Sequence, residues 1–116
     1  MSAWLPVAAS GLKCSVHPPS GAAVASLQAM TKVTRNSAQT TALSAYAKNT
    51  KARVSEGELE AEHGCLVYSF DIRIQGKSGV DEVLVDAGNG KVLDRQHETP
   101  KQEADEAAAE RKHAGA

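Results

Sequence analysis

The clearest pattern of apolar and polar side chains runs from Cys65 to Ile74, where the sequence reads CLVYSFDIRI. Apolar residues take every second position, at Leu66, Tyr68, Phe70, Ile72 and Ile74. A period of two over this length predicts a β-strand with one face against a core and the other towards water. The stretch holds two of the four aromatic residues of the chain, so we expect it to supply much of the core.

A second strand is predicted over residues 54–62. Leu59 and Ala61 share its apolar face. The opposite face carries Glu58, Glu60 and Glu62. Val54 falls on the opposite parity to Leu59, so a β-bulge near Ser55–Gly57 is expected to bring both side chains inward.

The dipeptide His63-Gly64 between these strands is typical of a two-residue hairpin turn, because glycine tolerates a positive φ. A turn of that length sets the register of the hairpin. The expected pairs are Ala61 with Leu66, Leu59 with Tyr68, Glu60 with Val67, and Glu58 with Ser69. In this register the apolar faces of both strands coincide and the glutamates lie on the wet face.

A third strand is predicted over Val80–Asp86, after a four-residue turn at Gly76–Gly79. The pairs expected from that loop length are Ile72 with Val83 and Phe70 with Val85. A short edge strand at Lys91–Arg95 follows the next turn, and its charged side chains would protect the edge from unwanted pairing. The sequence leaves open whether Val92 or Leu93 points into the core.

An α-helix is predicted to begin at Thr34, whose hydroxyl can accept a backbone N–H of the first turn. Side chains at helical spacing form a small apolar stripe for the sheet, made of Ala38, Ala42, Leu43, Ala45, Tyr46 and Ala47. Lys48-Asn49 is expected to end the helix, because a cation suits the last carbonyls and asparagine tolerates a left-handed conformation.

The pattern of apolar and polar residues is weaker at the two ends of the chain. Residues 1–30 are rich in Ala, Ser and Gly, and we predict a flexible, poorly ordered leader or linker, with a docking arm as the alternative. Thr99-Pro100 begins a last helix, but residues 99–116 have no large apolar side chain, so a solvated helix or tail is expected, with a partner-binding segment as the alternative. The folded domain is predicted to span residues 31–98.

Together these elements predict an α+β domain, with one alanine-rich helix packed on a small antiparallel sheet of three to four strands. Only 3% of the 116 residues are aromatic, so the core would be thin and a partner or dimer contact would help to stabilise it. The net charge is −1, but residues 1–53 carry six Lys/Arg and no acid. This sparse positive half does not fit nucleic-acid binding, whereas opposed charges favour weak head-to-tail self-association.

The chain has two cysteines, Cys14 and Cys65, and their spacing does not match a metal site. They would form one disulfide in an exported protein and remain two thiols in a cytosolic one, and the sequence leaves both open. Residues 4–9 form a short apolar patch with no basic stretch before it, which is not typical of a signal peptide. No apolar run approaches ~18 residues, so no membrane-spanning helix is predicted.

The acidic side chains of the second strand are the most prominent candidates for chemistry. Glu56 and Glu58, with Asp71 across the hairpin, are weak candidate ligands for a cation. Neighbouring positions on one face of a strand lie about 6.6–6.8 Å apart, too far for two carboxylates to bind one Ca²⁺ closely, so a solvated face is the expectation. The histidines lie in predicted turns, linkers or tails, and no nucleophile has an evident base. We therefore expect no catalytic residue, resident metal or cofactor.

Five segments follow one another between residues 32 and 100: KVTRNSAQTTAL, VSEGELEAEHG, LVYSFDI, GVDEVLVDAGNGKVL and HETP. In the order and spacing of these segments, residues 32–98 resemble a PepSY domain. The resemblance implies one helix on a small antiparallel sheet. PepSY domains occur in propeptides of secreted metalloproteases and alone in small exported bacterial proteins. The resemblance therefore implies a non-catalytic module that inhibits or regulates peptidases, in the periplasm or outside the cell.

The leading hypothesis is a non-catalytic binding module that docks a peptidase or another protein. It would bind either by strand addition at the edge formed by Lys91, Val92 and Leu93, or through the sheet face at Glu58 and Glu60. Two alternatives stay open: a self-associating structural protein of the envelope or cytoplasm, and a weak cation-binding protein that uses the acidic face. The sequence names neither the partner nor the oligomeric state, for which a homodimer is one option, nor the compartment.

Overall fold

The computed structural model describes residues 12–114, and their side chains up to residue 109. It has an α+β fold with one antiparallel sheet of four strands in the order β1-β2-β3-β4. The elements are α1 (Val24–Ala29), α2 (Arg35–Ser44), β1 (Ala52–Glu62), β2 (Cys65–Ile74), β3 (Val80–Asp86), β4 (Val92–Glu98) and α3 (Pro100–Ala114). In this described part of the chain, no helix combines the length and the apolar character needed to cross a membrane.

Helices α1 and α2 cover one face of the sheet, which we call the inner face. β2 supplies its centre, where Phe70 and Leu66 are fully buried and Tyr68 is nearly so. α2 approaches closely because its buried residues, Ala38 and Ala42, carry only a methyl group. The predicted α+β arrangement, an alanine-rich helix on an antiparallel sheet, is therefore confirmed.

The β1–β2 hairpin has the register that the sequence predicts, since all four expected pairs are observed. His63 and Gly64 form its turn with φ values of 54° and 78°, the left-handed values that a type I′ turn requires. The predicted bulge in β1 is also present, as a register shift between Val54 and Glu56. The turn and the bulge together explain how β1 keeps its apolar residues on the side of the core.

One expectation for β1 is wrong. Ala61, predicted to face the core beside Leu59, is exposed. Leu59 packs against the core, and Leu66, the partner of Ala61 across the hairpin, is fully buried, so only the β1 side of that pair is open to solvent.

The register between β2 and β3 differs from the prediction by two residues. The observed pairs are Phe70 with Val83 and Ile72 with Asp81, where the prediction pairs Phe70 with Val85 and Ile72 with Val83. Gly76, with φ 83°, is the third residue of a turn in which Lys77 N–H donates to Ile74 O at 3.0 Å. The loop therefore covers residues 75–79 and begins one residue earlier than the predicted turn at 76–79. Because the shift is two, the apolar side chains stay on the inner face.

Helix α2 begins as predicted and ends earlier. Thr34 Oγ1 accepts a backbone N–H of the first turn at 3.1 Å and caps the helix. The helix ends at Ser44 and not at Lys48-Asn49. Just past this end, Tyr46 donates its hydroxyl to Asp81 at 2.7 Å and so ties the chain to β3. The rest of the predicted stripe lies past this end and is exposed, at Ala45 and Ala47.

Strand β4 covers Val92–Glu98, whereas the prediction was Lys91–Arg95. The sequence left open whether Val92 or Leu93 points into the core. In the structure, the β3–β4 pairing shifts register at Leu93, because Val92 pairs with Val85 and Asp94 with Leu84. Leu93 turns to the face of the sheet opposite α2, and Val92 stays exposed at the edge.

A disulfide between Cys14 and Cys65 anchors the N-terminal segment to the face opposite α2, which we call the outer face. The Cα atoms are 5.8 Å apart. A small apolar cluster surrounds the bond and is made of Leu12, Val67, Leu84 and Leu93 with the two cysteines. The sequence left this bond open, and the structure contains it.

Residues 12–30, which the sequence predicts to be part of a linker, lie on the sheet; residues 1–11 lie outside the described residues. Val16 O accepts the backbone N–H of Leu66 at 3.0 Å. On the inner face, α1 buries Leu27 in the main core. The segment is therefore joined to both faces of the domain.

Helix α3 begins at Pro100 with a reciprocal cap. Gln102 N–H donates to Thr99 Oγ1 at 3.2 Å, and Thr99 N–H donates to Gln102 Oε1 at 2.8 Å. The sequence offers no contact that would hold this helix to the core. In the structure, an ion pair between Arg73 and Glu103, 2.8 Å long, joins its beginning to the outer face of β2.

Candidate functional site: an acidic cavity beneath the C-terminal helix

A cavity of about 330 Å³ lies between the outer face of the sheet and α3, and we call it the acidic cavity. Among the side chains that the structure describes, its wall contains eight carboxylates and no basic group. The sheet contributes Glu56, Glu58, Glu60, Asp71, Glu82 and Glu98, and α3 contributes Glu103 and Glu106. Like charges at such density are unfavourable unless protons or a cation offset them.

The sheet register brings carboxylates of neighbouring strands together. Glu56 lies opposite Asp71 in the β1–β2 pair, and Asp71 lies opposite Glu82 in the β2–β3 pair. Side chains directly opposite one another have Cβ atoms about 4.5–5.5 Å apart, closer than successive positions along one face of a strand. Three carboxylates from three strands therefore form a row across the outer face.

Helix α3 closes the cavity from above. Glu103 pairs with Arg73, whose second guanidinium nitrogen donates to Gly79 O at 3.1 Å. Glu106 follows three residues after Glu103, so both point from the same side of the helix. The ion pair thus holds α3 in an orientation that places a second carboxylate over the sheet.

Glu98, the last residue of β4, is the most buried acid of the wall, with 5% of its surface exposed. Its Oε2 atom has no hydrogen-bond partner among the described residues. Burial raises the pKa of Glu98, and so do hydrogen bonding to Glu106, the negative charge of Glu106 and, more weakly, the charges of Glu82 and Asp71. A carboxyl group in this position needs a proton or a cation beside it.

The pKa values of two neighbouring acids, Glu82 and Asp71, are also raised by burial and by nearby negative charge. Burial raises the pKa of Glu82 to about 7, helped by the charges of Asp71 and Glu60 and opposed by the hydroxyl of Ser69 at 3.3 Å. Burial, followed by the charge of Glu56, raises the pKa of Asp71 to about 6. Near neutral pH the acidic cavity therefore contains both protonated and ionised carboxyl groups.

Carboxylate oxygens are the ligands that Ca²⁺ prefers, and the sequence offered Glu56, Glu58 and Asp71 as weak candidates. All three line the acidic cavity. Among the described side chains, however, no three carboxylate residues of the cavity each bring an oxygen within 4.8 Å of the other two. The candidates are neighbours in one wall and do not form a compact ligand set.

The predicted partner-binding residues fall into two groups. Glu58 and Glu60 line the acidic cavity. Lys91, Val92 and Leu93 lie outside its wall, at the start of β4, and Leu93 is turned into the disulfide cluster.

Sequence reasoning missed four of the eight carboxylates that line the described wall, namely Glu82, Glu98, Glu103 and Glu106. The spacing of the two α3 residues was a usable signal, since positions i and i+3 share one helix face. The two sheet residues were hidden, because their approach to Asp71 depends on strand registers that the sequence does not reveal.

A second group of potential metal ligands, Cys14, His17 and Cys65, has its ligand atoms within 4.8 Å of one another. Both sulfurs are used by the disulfide, so neither is a thiolate that could bind a metal. His17 Nδ1 lies 3.1 Å from Gly64 O. This group therefore holds the N-terminal segment at the hairpin turn by a covalent bond.

His97 and Asp81 form a hydrogen-bonded pair of a kind that also occurs in catalytic sites. The Nδ1–Oδ1 distance is 2.7 Å, and the other Asp81 oxygen accepts from Tyr46 at 2.7 Å. Burial alone would raise the pKa of Asp81, but these two hydrogen bonds outweigh it and lower the pKa. Among the described residues no hydroxyl or thiol is hydrogen-bonded to the His97 ring, so the pair serves to join β3, β4 and the chain after α2.

Comparisons with known proteins find no family model, no curated protein and no solved structure that matches this chain. The PepSY resemblance of residues 32–98 therefore stays a prediction. The functional argument accordingly depends on the geometry of the sheet and of the acidic cavity.

Proposed function

We propose that this protein is a non-catalytic binding module that docks a partner protein along the open edge of β1. The observation that carries the proposal is the position of β1, an eleven-residue strand at the edge of the described sheet, with β2 as its neighbour. An open strand edge binds an extended segment by adding it to the sheet as a further strand. The opposite edge, β4, has seven residues, and its Leu93 packs into the disulfide cluster on the outer face, so it offers less to a partner.

The main-chain groups of Ala61 point towards this open edge. The two-residue turn places the Ala61–Leu66 pair second from the turn, where the two residues of an antiparallel ladder do not bond to each other. Leu66 accordingly bonds on its other side, donating to Val16 at 3.0 Å and accepting from Ala87 at 3.1 Å. The N–H of Ala61 is therefore oriented to meet an added strand.

The charge of the neighbouring surface favours a basic partner segment. Glu58 and Glu60 lie on β1 and line the acidic cavity, so Lys or Arg at alternate positions of an added strand would face them. The PepSY resemblance favours a peptidase as the class of partner. The Cys14–Cys65 disulfide supports an oxidising compartment such as the periplasm or the cell exterior.

The test is to mix the purified protein with a panel of secreted metallopeptidases and to measure the remaining peptidase activity. We expect dose-dependent, saturable inhibition of at least one of them. Ala61→Pro removes the N–H that an added strand would use, at an edge position where proline is tolerated, and should weaken inhibition about tenfold or more. Ala61→Thr keeps that N–H and should inhibit like the unaltered protein.

Two results would contradict the proposal. If no peptidase of the panel is inhibited and none is retained on the immobilised protein, docking to this class of partner is rejected. If Ala61→Pro and Ala61→Thr inhibit equally, with matching circular dichroism spectra, the edge of β1 is not the docking surface.

A second candidate function, self-association, is favoured by a basic groove at the far end of the β1–β2 pair. This open groove has a volume of about 490 Å³ and is lined by Lys51, Arg53, Arg73 and Lys77 with three neutral residues. Its charge is complementary to the acidic cavity of a second copy. Size-exclusion chromatography at about 20 mM and about 500 mM salt tests this, because such contacts are screened by salt, and a monomer at both concentrations rejects it.

A further inference from the structure

We propose that the acidic cavity binds an extended organic polycation, meaning a flexible carbon chain that carries two or more primary ammonium groups. Such groups occur in free polyamines and in consecutive lysine side chains, and the same chemistry would recognise both. The proposal concerns the acidic cavity itself and does not require a partner strand at the edge of β1.

The size of the cavity and the spread of its carboxylates argue for a ligand larger than a metal ion. A volume of about 330 Å³ falls at the lower end of the range of small-molecule sites, about 300–1,000 Å³. A bound Ca²⁺ needs six to eight oxygens at ~2.3–2.6 Å, but in the described side chains no three carboxylate residues of the cavity each bring an oxygen within 4.8 Å of the other two. Ammonium groups separated along a chain can reach carboxylates that are themselves separated.

One carboxylate in the wall of the acidic cavity is buried. Glu98 is 95% buried, as its exposure of 5% shows, and within the described part of the chain its Oε2 has no hydrogen-bond partner. The charged groups that act on it are further acids, Glu106 from α3, Glu82 from β3 and Asp71 from β2. An ammonium group carries three N–H donors, so it would supply the missing hydrogen bond and offset the repulsion with a charge-assisted contact.

The rim of the cavity adds selectivity for cations. Arg73, a nearby cation, is already paired with Glu103 at 2.8 Å. Glu56, Glu58 and Glu60 line the side formed by β1. Their combined field attracts a long cation and repels anions, and a neutral ligand would leave the charge of the wall uncompensated.

The proposal is tested by isothermal titration of the full chain with spermidine, with trilysine peptide and with CaCl₂, at about pH 8 and about 20 mM salt. We expect saturable one-site binding of spermidine or trilysine, weakened about tenfold by Glu98→Gln, which removes a charge and keeps the shape. Glu106→Gln, on the half-exposed side of the cavity, provides a second variant and should also weaken binding. Asp105→Asn is the matched control, because Asp105 pairs with Lys101 at 3.1 Å on the exposed side of α3 and should not matter.

The comparison of ligands identifies the source of the ammonium groups. Tighter binding of spermidine indicates a free polyamine, and tighter binding of trilysine indicates lysines of a polypeptide. The proposal is overturned if neither binds at millimolar concentration, if Ca²⁺ binds more tightly than both, or if Asp105→Asn weakens binding as much as Glu98→Gln. Such failure would leave docking at the edge of β1 unaffected, because the Ala61 variants do not alter the wall of the cavity.

Discussion

Reduction of the Cys14–Cys65 disulfide removes the covalent link between the N-terminal segment and β2. The bond closes a loop between residues that are 51 positions apart in sequence. A cross-link of this kind limits the conformations of the unfolded chain, and reduction restores them. Because the core contains few large apolar side chains, we expect the folded state to lose a large part of its stability.

The magnitude follows from the length of the loop. For a sequence separation of 51, the chain-entropy relation gives about 4 kcal/mol at 25 °C. A domain of about 100 residues loses roughly 4–5 °C of melting temperature per kcal/mol, so the melting temperature should fall by about 15–20 °C. Contacts of the segment that do not involve sulfur, such as the 2.7 Å bond from Ser15 Oγ to Asp86, survive reduction and keep the native state otherwise similar.

The assay is thermal unfolding followed by circular dichroism, with and without dithiothreitol. Cys14→Ser should melt at the temperature of the reduced protein, and dithiothreitol should not change it. Thiol titration before and after reduction establishes that the bond was present. If the bond is present and its reduction lowers the melting temperature by less than about 3 °C, the entropic argument is refuted.

Three further predictions concern buried polar groups and close packing. Asp86→Asn should cost about 2–3 kcal/mol in urea unfolding, because fully buried Asp86 accepts hydrogen bonds from Ser15 and from the following turn. Gly57→Ala should cost about 1–3 kcal/mol, because its Cβ would come within 2.8 Å of the Phe70 ring; a change below about 0.5 kcal/mol in either variant would contradict the packing described. The free energy of unfolding should fall as pH rises from about 4.5 to about 7, because burial raises the pKa of Glu82 from 4.5 to about 7 and the folded state therefore holds more protons there. The decrease should reach at most about 3 kcal/mol, and a flat or rising profile would count against it.

The sheet was predictable where local signals agreed. The two-residue turn leaves one alignment that keeps Leu59 and Tyr68 on the same face, and that alignment is observed. The path of the chain just past α2 was not predictable, because Tyr46 is held by Asp81, a residue 35 positions away. The placement of residues 12–30 depends in the same way on a bond to Cys65, so both errors arise from contacts that local sequence does not contain.

The acidic cavity was harder to predict than the fold, because it depends on a register that the apolar pattern does not determine. A shift of two residues keeps every side chain on its face, so Val83 and Val85 of β3 face the core in the predicted register and in the observed one. The charged side chains, however, have different partners in the two registers. The predicted register would place Glu82 opposite Arg73 as a neutralising pair, whereas the observed register places it opposite Asp71. The turn around Gly76, with its positive φ, therefore decides whether the outer face carries paired charges or a row of acids that favours a cationic ligand.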